Sequence, residues 1–366
     1  MLTTIISKTI NYLKSSSKSE PLDLDAKLIK LWLNEYKYTP NTYTTYRVII
    51  LRFYLWINYN SLTFIALTKY HLLSYIDFLK APDPNWCNIH RHKFSHPDWR
   101  PFQKPLSLKS IHRNLTVIKQ MFIYLFHNGS ILLNPSNFRL RLPSYIKYSK
   151  QNRYLTIDEF NMIIEYINNL PDSSPKLSES KMRVLWIFKL LFYTGCRRSE
   201  VVKASMIDVI YLDRRLWLQV CGKGNKVGNV PVVKELAIAL DQYRDFYELP
   251  SMYNLSSLEA NIPLIILNKI NNQYYTMSAS HLWFIVKSTC ILASESITDD
   301  TALSCKLKLV SPHWLRHSSA TAQVDAGINL KVVQKNLRHS CIETTLQYQH
   351  VNDDFRHFET ITKFKS

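Results

Sequence analysis

The sequence predicts a mainly α protein with one small β-sheet, split into two domains by a basic linker. Apolar residues recur at helical spacing through most of both halves. One stretch, Ile207 to Val233, reads instead as short strands around the turn Gly222-Lys223-Gly224-Asn225-Lys226, a hairpin signal with lysine at its tip. Between the halves, Asn134 to Arg153 carries Pro135 and Pro143 among alternating Arg, Lys and Tyr with little apolar periodicity. A chain of 366 residues, 46% hydrophobic and 13% aromatic, has material for two packed cores.

In chain order, residues 1–20 form an N-terminal segment ending in Ser15-Ser16-Ser17-Lys18-Ser19, read as a solvated linker. A helical domain follows over 21–135. From Leu22 to about Lys80 the pattern is helical: Thr39-Pro40 opens a helix, and Tyr46, Ile49, Ile50, Phe53, Trp56 and Ile57 make a stripe expected to be core. Ala81 to Pro105 breaks that pattern with five prolines, and it carries Cys87, His90, His92 and His96. Their Cys-x2-His-x-His-x3-His spacing does not match paired zinc ligands, so a basic loop directed at a polyanion is expected and no metal. Ser107 starts a further helix, which Gly129 stops.

The linker spans 136–153 and a second domain 154–351. It opens at Thr156, in capping-box spacing with Glu159, and Phe160, Ile163, Ile164 and Ile167 line one side of its first helix. A second helix, Ser180 to Tyr193, is apolar on most sides and so expected to be central. Gly195 ends it. The hairpin follows, then helices near Lys234 to Tyr247 and Ser278 to Ala293. A C-terminal tail, 352–366, carries Phe355, Phe358, Ile361 and Phe364, suited to docking on a neighbouring subunit or on its own domain.

A formal charge of +18 and a pI near 9.5 favour a polyanionic partner, nucleic acid above all. No stretch reaches the roughly 18 apolar residues of a membrane span, and Met1 to Leu13 is not a convincing signal peptide. The six cysteines lack paired spacing, as in a reducing compartment. A cytoplasmic protein is expected, associated with the nucleoid if bacterial, with no membrane and no cofactor.

Ser311 to His350 concentrates the chemistry. Ser311-Pro312 suits a helix start, which places His313 and Arg316 on one face at i and i+3. Gly327 stops that helix, and Val332, Val333 and Leu337 give the next an apolar side. Ser340 and Glu343 have capping-box spacing, which predicts a helix from about Cys341 with Tyr348 roughly two turns inside it. Histidines, arginine and tyrosine on successive short helices make a basic, acid-poor pocket that fits a phosphate better than a metal or a sugar.

Thr194-Gly195-Cys196-Arg197-Arg198-Ser199-Glu200, Gly222-Lys223-Gly224, His313-Trp314-Leu315-Arg316-His317, His339-Ser340 and Tyr348, in that order, resemble the tyrosine recombinases of the phage-integrase and chromosome-dimer-resolvase type. The resemblance covers about Thr156 to Val351, while the N-terminal half matches the family's core-binding domain in pattern only. It implies an α+β catalytic domain which, with the helical domain, closes as a C-shaped clamp on double-stranded DNA, and a homotetramer on the synapse, with accessory DNA-bending proteins or a partner recombinase. It implies that Arg197 and Arg316 grip the scissile phosphate, that Lys223 protonates the leaving 5′ oxygen, and that His313 is the acid/base. His339 would bond the phosphate, Tyr348 would be the nucleophile and Glu200 a supporting acid. Arg338 stands where the family commonly has glycine.

Such residues suit metal-independent phosphoryl transfer. Guanidiniums offset the charge that a pentavalent phosphorane accumulates. A phenol, poor as a nucleophile at neutral pH, gains from a base or a positive field. The turn at Lys223 lacks the spacing of a nucleotide-binding loop. The function expected is site-specific DNA integration or recombination, as in mobile elements, through a 3′-phosphotyrosine and a Holliday junction. A type IB topoisomerase-like or telomere-resolving enzyme, and a DNA-binding relative without catalysis, are the alternatives.

Overall fold

The computed structural model describes residues 24–346, apart from 91, 93–95, 97, 138–152, 223–225, 252–256 and 340, together with 348 and 361. The N-terminal segment 1–20, nearly all of the linker and nearly all of the tail 352–366 lie outside the described residues, as do Lys223 and Ser340. The chain divides into two compact units near residue 148.

In the first unit the long helical pattern resolves into α1 (Leu24–Asn34), α2 (Pro40–Tyr59) and α3 (Lys69–Lys80), joined after a loop by α4 (Leu108–His127). Pro40 opens α2 and the Ser107 hydroxyl accepts from the Ser110 N–H at the start of α4, both as the sequence indicates. The aromatic stripe of α2 is core: Phe53 is buried edge-to-face against Phe122 of α4, and Ile50, Leu55 and Ile57 are fully buried. Each such side chain contributes roughly 1.5–3 kcal/mol on burial. Asp25 enters the same interior because its carboxylate accepts from the Phe64 N–H at 2.8 Å. The proline-rich loop is closed at its base: Cys87 bridges Phe102, Phe102 N–H donates to the Trp86 carbonyl at 3.1 Å, and Trp86 and Phe102 are buried beneath.

The second unit is built on α6 (Pro175–Thr194), with α5 (Ile157–Asn168) before it. The Thr156 and Glu159 capping box forms as expected. Helix α6 begins earlier than its apolar run suggests, because Ser174 caps it and Pro175 takes the first turn. Its Trp186, Ile187, Phe188, Leu190 and Leu191 are buried, and the Trp186 indole N–H donates to the Leu264 carbonyl at 2.8 Å. After the one-turn α7 (Arg198–Val201) comes an antiparallel sheet, β1 (Val209–Leu212), β2 (Arg215–Cys221) and β3 (Val227–Pro231), in that order. Val209, Leu218, Val220 and Val230 face the core. Helices α8 (Lys234–Phe246), α9 (Ala279–Glu295), α10 (Thr301–Leu307), α11 (Pro312–Asp325), α12 (Leu330–Leu337) and α13 (Glu343–Leu346) complete it.

Two elements go beyond the sequence reading. A second hairpin pairs β4 (Ile266–Ile270) with β5 (Gln273–Thr276) through Asn271 and Asn272, both at positive φ, the asparagine-rich two-residue turn such hairpins favour. Helix α10 is capped by Asp300, whose carboxylate accepts from the Leu303 N–H at 2.8 Å. Ser311 occupies the N-cap of α11 but makes no side-chain cap bond. All six cysteines are free, and among the described residues no helix is long and apolar enough to cross a membrane.

Candidate active site

The site forms where the ends of α6, α11 and α12 meet. Gly195 caps α6 at φ 57°, and a Cβ there would lie 2.6 Å from a methyl of Leu337, so both conformation and proximity require glycine. The turn it makes presents Arg197 as the N-cap of α7. There Arg197 Nη1 donates to Glu200 Oε1 at 2.8 Å and its backbone N–H donates to Glu200 Oε2 at 2.7 Å. Glu200 is 2% exposed while the Arg197 side chain keeps 42% of its surface open, so one edge of the guanidinium is fixed and the rest faces outward.

Arg316 projects from α11 and is nearly fully buried. Its Nη1 donates to the Gly195 carbonyl and its Nη2 to the Leu337 carbonyl, each at 2.5 Å. A buried cation is thus held by carbonyls at the C-terminal ends of two helices, where the peptide dipoles favour positive charge. Burial, then the positive charges of Arg197 and Arg338, lower its pKa to about 10, which leaves it a cation at neutral pH.

His313 lies one turn before Arg316, and its ring meets that of His317 edge-on at 4.3 Å between centroids. His317 in turn packs 5.3 Å from the Tyr348 ring, and His339, just after α12, lies nearly parallel to Tyr348 at 6.2 Å. His339 Nδ1 is 2.9 Å from the buried Thr345 hydroxyl. Tyr348 is buried against Ala320, Val333 and Leu337 of its own chain. The expected helix carrying it is shorter than predicted: α13 ends at Leu346, and Tyr348 sits in a turn with its N–H donating to the Thr345 carbonyl. The β-branched Thr344 and Thr345 support a helix weakly, and a single turn gains little cooperativity.

Mutual electrostatics mark these groups as one cluster. Burial, then Arg316 and Arg197, hold His313 below the ordinary imidazole range. Burial, followed by His313 and Arg316, takes His317 down to about 4, and burial with Arg316, Arg197 and Arg338 takes His339 to about 4. At neutral pH the imidazoles are therefore uncharged while the guanidiniums are not. Burial works to raise the Glu200 pKa, but the charges and hydrogen bonds of Arg338 and Arg197 hold it below the usual carboxylate range.

The structure thus brings together Arg197, Glu200, His313, Arg316, His339 and Tyr348, and Lys223 lies outside the described residues. Strands β2 and β3 that flank it pair in register from Trp217 opposite Pro231 to Cys221 opposite Val227. Three further residues join the site. His317 sits between His313 and Tyr348, Thr345 meets His339, and Arg338 donates to Glu200 at 2.6 Å. The sequence signal for His317 is its place one turn after His313 and that for Arg338 its place where the family commonly has glycine, but Thr345 carries none that distinguishes it from surface residues. An arrangement of two fixed guanidiniums, neutral imidazoles and a phenol can bind a tetrahedral anion, take up a proton and present a nucleophile.

In the first unit, ligand atoms of His92, His96 and Asp98 lie within 4.8 Å of one another and could hold a metal ion. Cys87 is not among them, and His96 Nδ1 already accepts from the Asp98 N–H at 3.1 Å.

The chain is similar to the tyrosine recombinase XerD of Pasteurella multocida, 26% identical with 89% of this chain and 94% of the relative aligned, and to XerD of Rickettsia prowazekii, 26% identical over 68% and 73%. Its fold is similar to that of the XerH site-specific recombinase bound to difH substrate, with a TM-score of 0.60 at 17% identity, covering 100% of this chain and 96% of that one. It is likewise similar to the Tn1549 transposon integrase in complex with transposon right end DNA, TM-score 0.58 at 16% identity, covering 100% and 99%. The model of the phage integrase family matches residues 153–354, more than half of the chain and the whole of the site just described, and the chain belongs to that family.

Proposed function

We propose that this protein cuts and rejoins double-stranded DNA at specific sites, with Tyr348 as nucleophile and without a metal ion. The observation that carries the reading is the packing of Tyr348 between His317 and His339, in a cluster whose charges come from Arg197, Arg316 and Arg338. The Tyr348 oxygen attacks the scissile phosphorus as its proton passes to a neutral imidazole, for which His313 is assigned. Arg197, through its exposed edge, and Arg316 take the non-bridging oxygens, and His339 adds a hydrogen bond. The bond from phosphorus to the 5′ oxygen breaks, and Lys223 is assigned the proton that makes the leaving group a hydroxyl. The phosphotyrosyl ester keeps the energy of the original phosphodiester, so attack by a 5′ hydroxyl of another strand reseals DNA without ATP.

Exchange of strands between two duplexes requires four such cleavages, which supports a homotetramer on DNA passing through a Holliday junction, with or without an accessory DNA-bending protein or partner recombinase. The helical unit 21–135 would serve as the core-binding domain, and the tail 352–366 as a docking segment. The workplace is the cytoplasm, on the nucleoid in a bacterium. Support comes from the relatives, which include recombinases solved on DNA and a transposon integrase.

A nicked duplex that traps the covalent intermediate tests the reading. The protein should form an adduct on it, and Tyr348→Phe should bind the same DNA and form none. Undiminished adduct in that variant rules out the assigned nucleophile. Relaxation of supercoiled plasmid lacking any cognate site would mark a topoisomerase instead.

A further inference from the structure

Arg338 holds the end of α12 in the left-handed region, at φ 55° and ψ 44°, where glycine is the least strained residue. What the side chain does there compensates for that backbone. Its Nη2 donates to Glu200 Oε2 at 2.6 Å and reaches Cys196 Sγ at 3.5 Å, and its Nη1 donates to the Asn336 carbonyl at 2.9 Å. The other Glu200 oxygen accepts from Arg197, so a single buried carboxylate joins two guanidiniums.

The aliphatic stem of Arg338 makes the second connection. It lies over Gly228 of β3, where an added Cβ would stand 2.8 Å from Arg338 Cδ and 3.2 Å from Cγ. Gly228 pairs with Val220 of β2, and Lys223 lies in the connection between these two strands. Small residue and large residue are matched across the contact: glycine at 228 leaves room for an arginine at 338. His339 follows Arg338 directly in the chain.

We infer that Arg338 is a positioning residue that fastens the β2–β3 hairpin to the Glu200–Arg197 pair and to the helix end preceding His339. Through the hairpin it sets where the leaving-group proton is delivered, while Arg197 keeps its own two hydrogen bonds to Glu200. The inference rests on the strand-transfer reading above, and the experiment separates the two.

Strand cleavage is measured on nicked duplexes whose leaving atom is either the ordinary 5′ oxygen or a bridging 5′ sulphur. A thiolate departs without a proton, because a thiol is far more acidic than an alcohol. Lys223→Ala is the reference for a lost proton donor. Arg338→Gly should bind DNA as the parent does, cleave the oxygen substrate at least about tenfold slower, and recover to within about threefold on the sulphur substrate. Gly228→Ala, which presses on the Arg338 stem, should show the same pattern, and its effect should vanish in the Arg338→Gly background, a non-additivity that contact demands. Arg338→Lys keeps the stem and the charge and should lie nearer the parent.

Equal cleavage by Arg338→Gly and the parent, equal slowing on both substrates, or additive effects with Gly228→Ala would each overturn the inference. Should Arg338→Gly fail to fold, Arg338→Asn, which tolerates the left-handed backbone and removes the stem, makes the same comparison alone and together with Gly228→Ala. Failure of the sulphur substrate to rescue Lys223→Ala removes the proton-donor role of Lys223 and leaves the coupling of Arg338 to Gly228 as the deciding measurement. Absence of any adduct in the parent overturns the strand-transfer reading itself, and this inference with it.

Discussion

His339 Nδ1 lies 2.9 Å from the hydroxyl of Thr345, which is fully buried. That contact fixes the ring's orientation and leaves Nε2 for a ligand. Valine is nearly the shape of threonine but cannot bond the ring. Thr345→Val should therefore slow adduct formation by about tenfold, the size of one hydrogen bond, with DNA affinity held. Thr345→Ser should restore it. Single-turnover cleavage beside a gel-shift titration checks both, and a Thr345→Val protein as fast as its parent would remove the orienting role.

Arg316 bonds two helix-end carbonyls at once, one from each terminal nitrogen of its planar fork. Arg316→Lys keeps a charge and loses the geometry. Cleavage should drop by about a hundredfold, and stability should fall by about 1–3 kcal/mol as one buried carbonyl loses its donor. Urea denaturation alongside cleavage reads the two effects separately.

Outside this cluster, Arg244 and Glu259 form a buried bidentate pair, at 2.7 and 3.0 Å, and Arg244 also donates to the Pro250 carbonyl. Removing one partner strands the other charge in the interior. Arg244→Met should destabilise the second unit by about 3–5 kcal/mol, whereas exchanging the pair together, Arg244→Met with Glu259→Leu, should cost less. Thermal unfolding of the three proteins decides this.

The depressed imidazoles imply a pH dependence of stability with a definite sign. His317 and His339 drop from the ordinary imidazole value of 6.5 to about 4 in the fold. The unfolded chain therefore takes up protons first as pH falls. Their contribution is complete above pH 6.5 and is lost as pH falls towards about 4. The lowered Glu200 adds a loss only below its ordinary value of 4.5. The urea midpoint should fall from pH 7 to pH 5 more steeply in the parent than in His317→Gln/His339→Gln. Parallel curves would contradict the neutral state of these rings.

A charge of +18 predicts steep salt dependence of DNA binding, through displaced counterions. Log–log titration of affinity against salt should give a slope of magnitude about 5 or more. A slope near zero would exclude a surface that neutralises many phosphates.

The family was legible through the resemblance of its motifs, and the elements that carry the candidate site were legible because their ends obey local rules. Gly195 had to end α6, Pro312 had to start α11, and a lysine between two glycines had to mark a hairpin. Each of these is decided within a few residues along the chain. The second hairpin was missed although Asn271-Asn272 signalled its turn, because its strands are short and weakly alternating.

Which residues actually meet was left to tertiary structure. Tyr348 was predicted inside a helix, yet it occupies a turn whose position follows from its burial against Ala320, Val333 and Leu337. Sequence alone set the kinds of charge this protein carries and the order in which they occur. Only packing decided that Arg338 would reach across to Glu200 and lie on Gly228, because those contacts join residues far apart in the chain and depend on how closely three backbones approach. Spacing fixes neighbours on one helix, whereas volume and hydrogen bonding fix neighbours between elements.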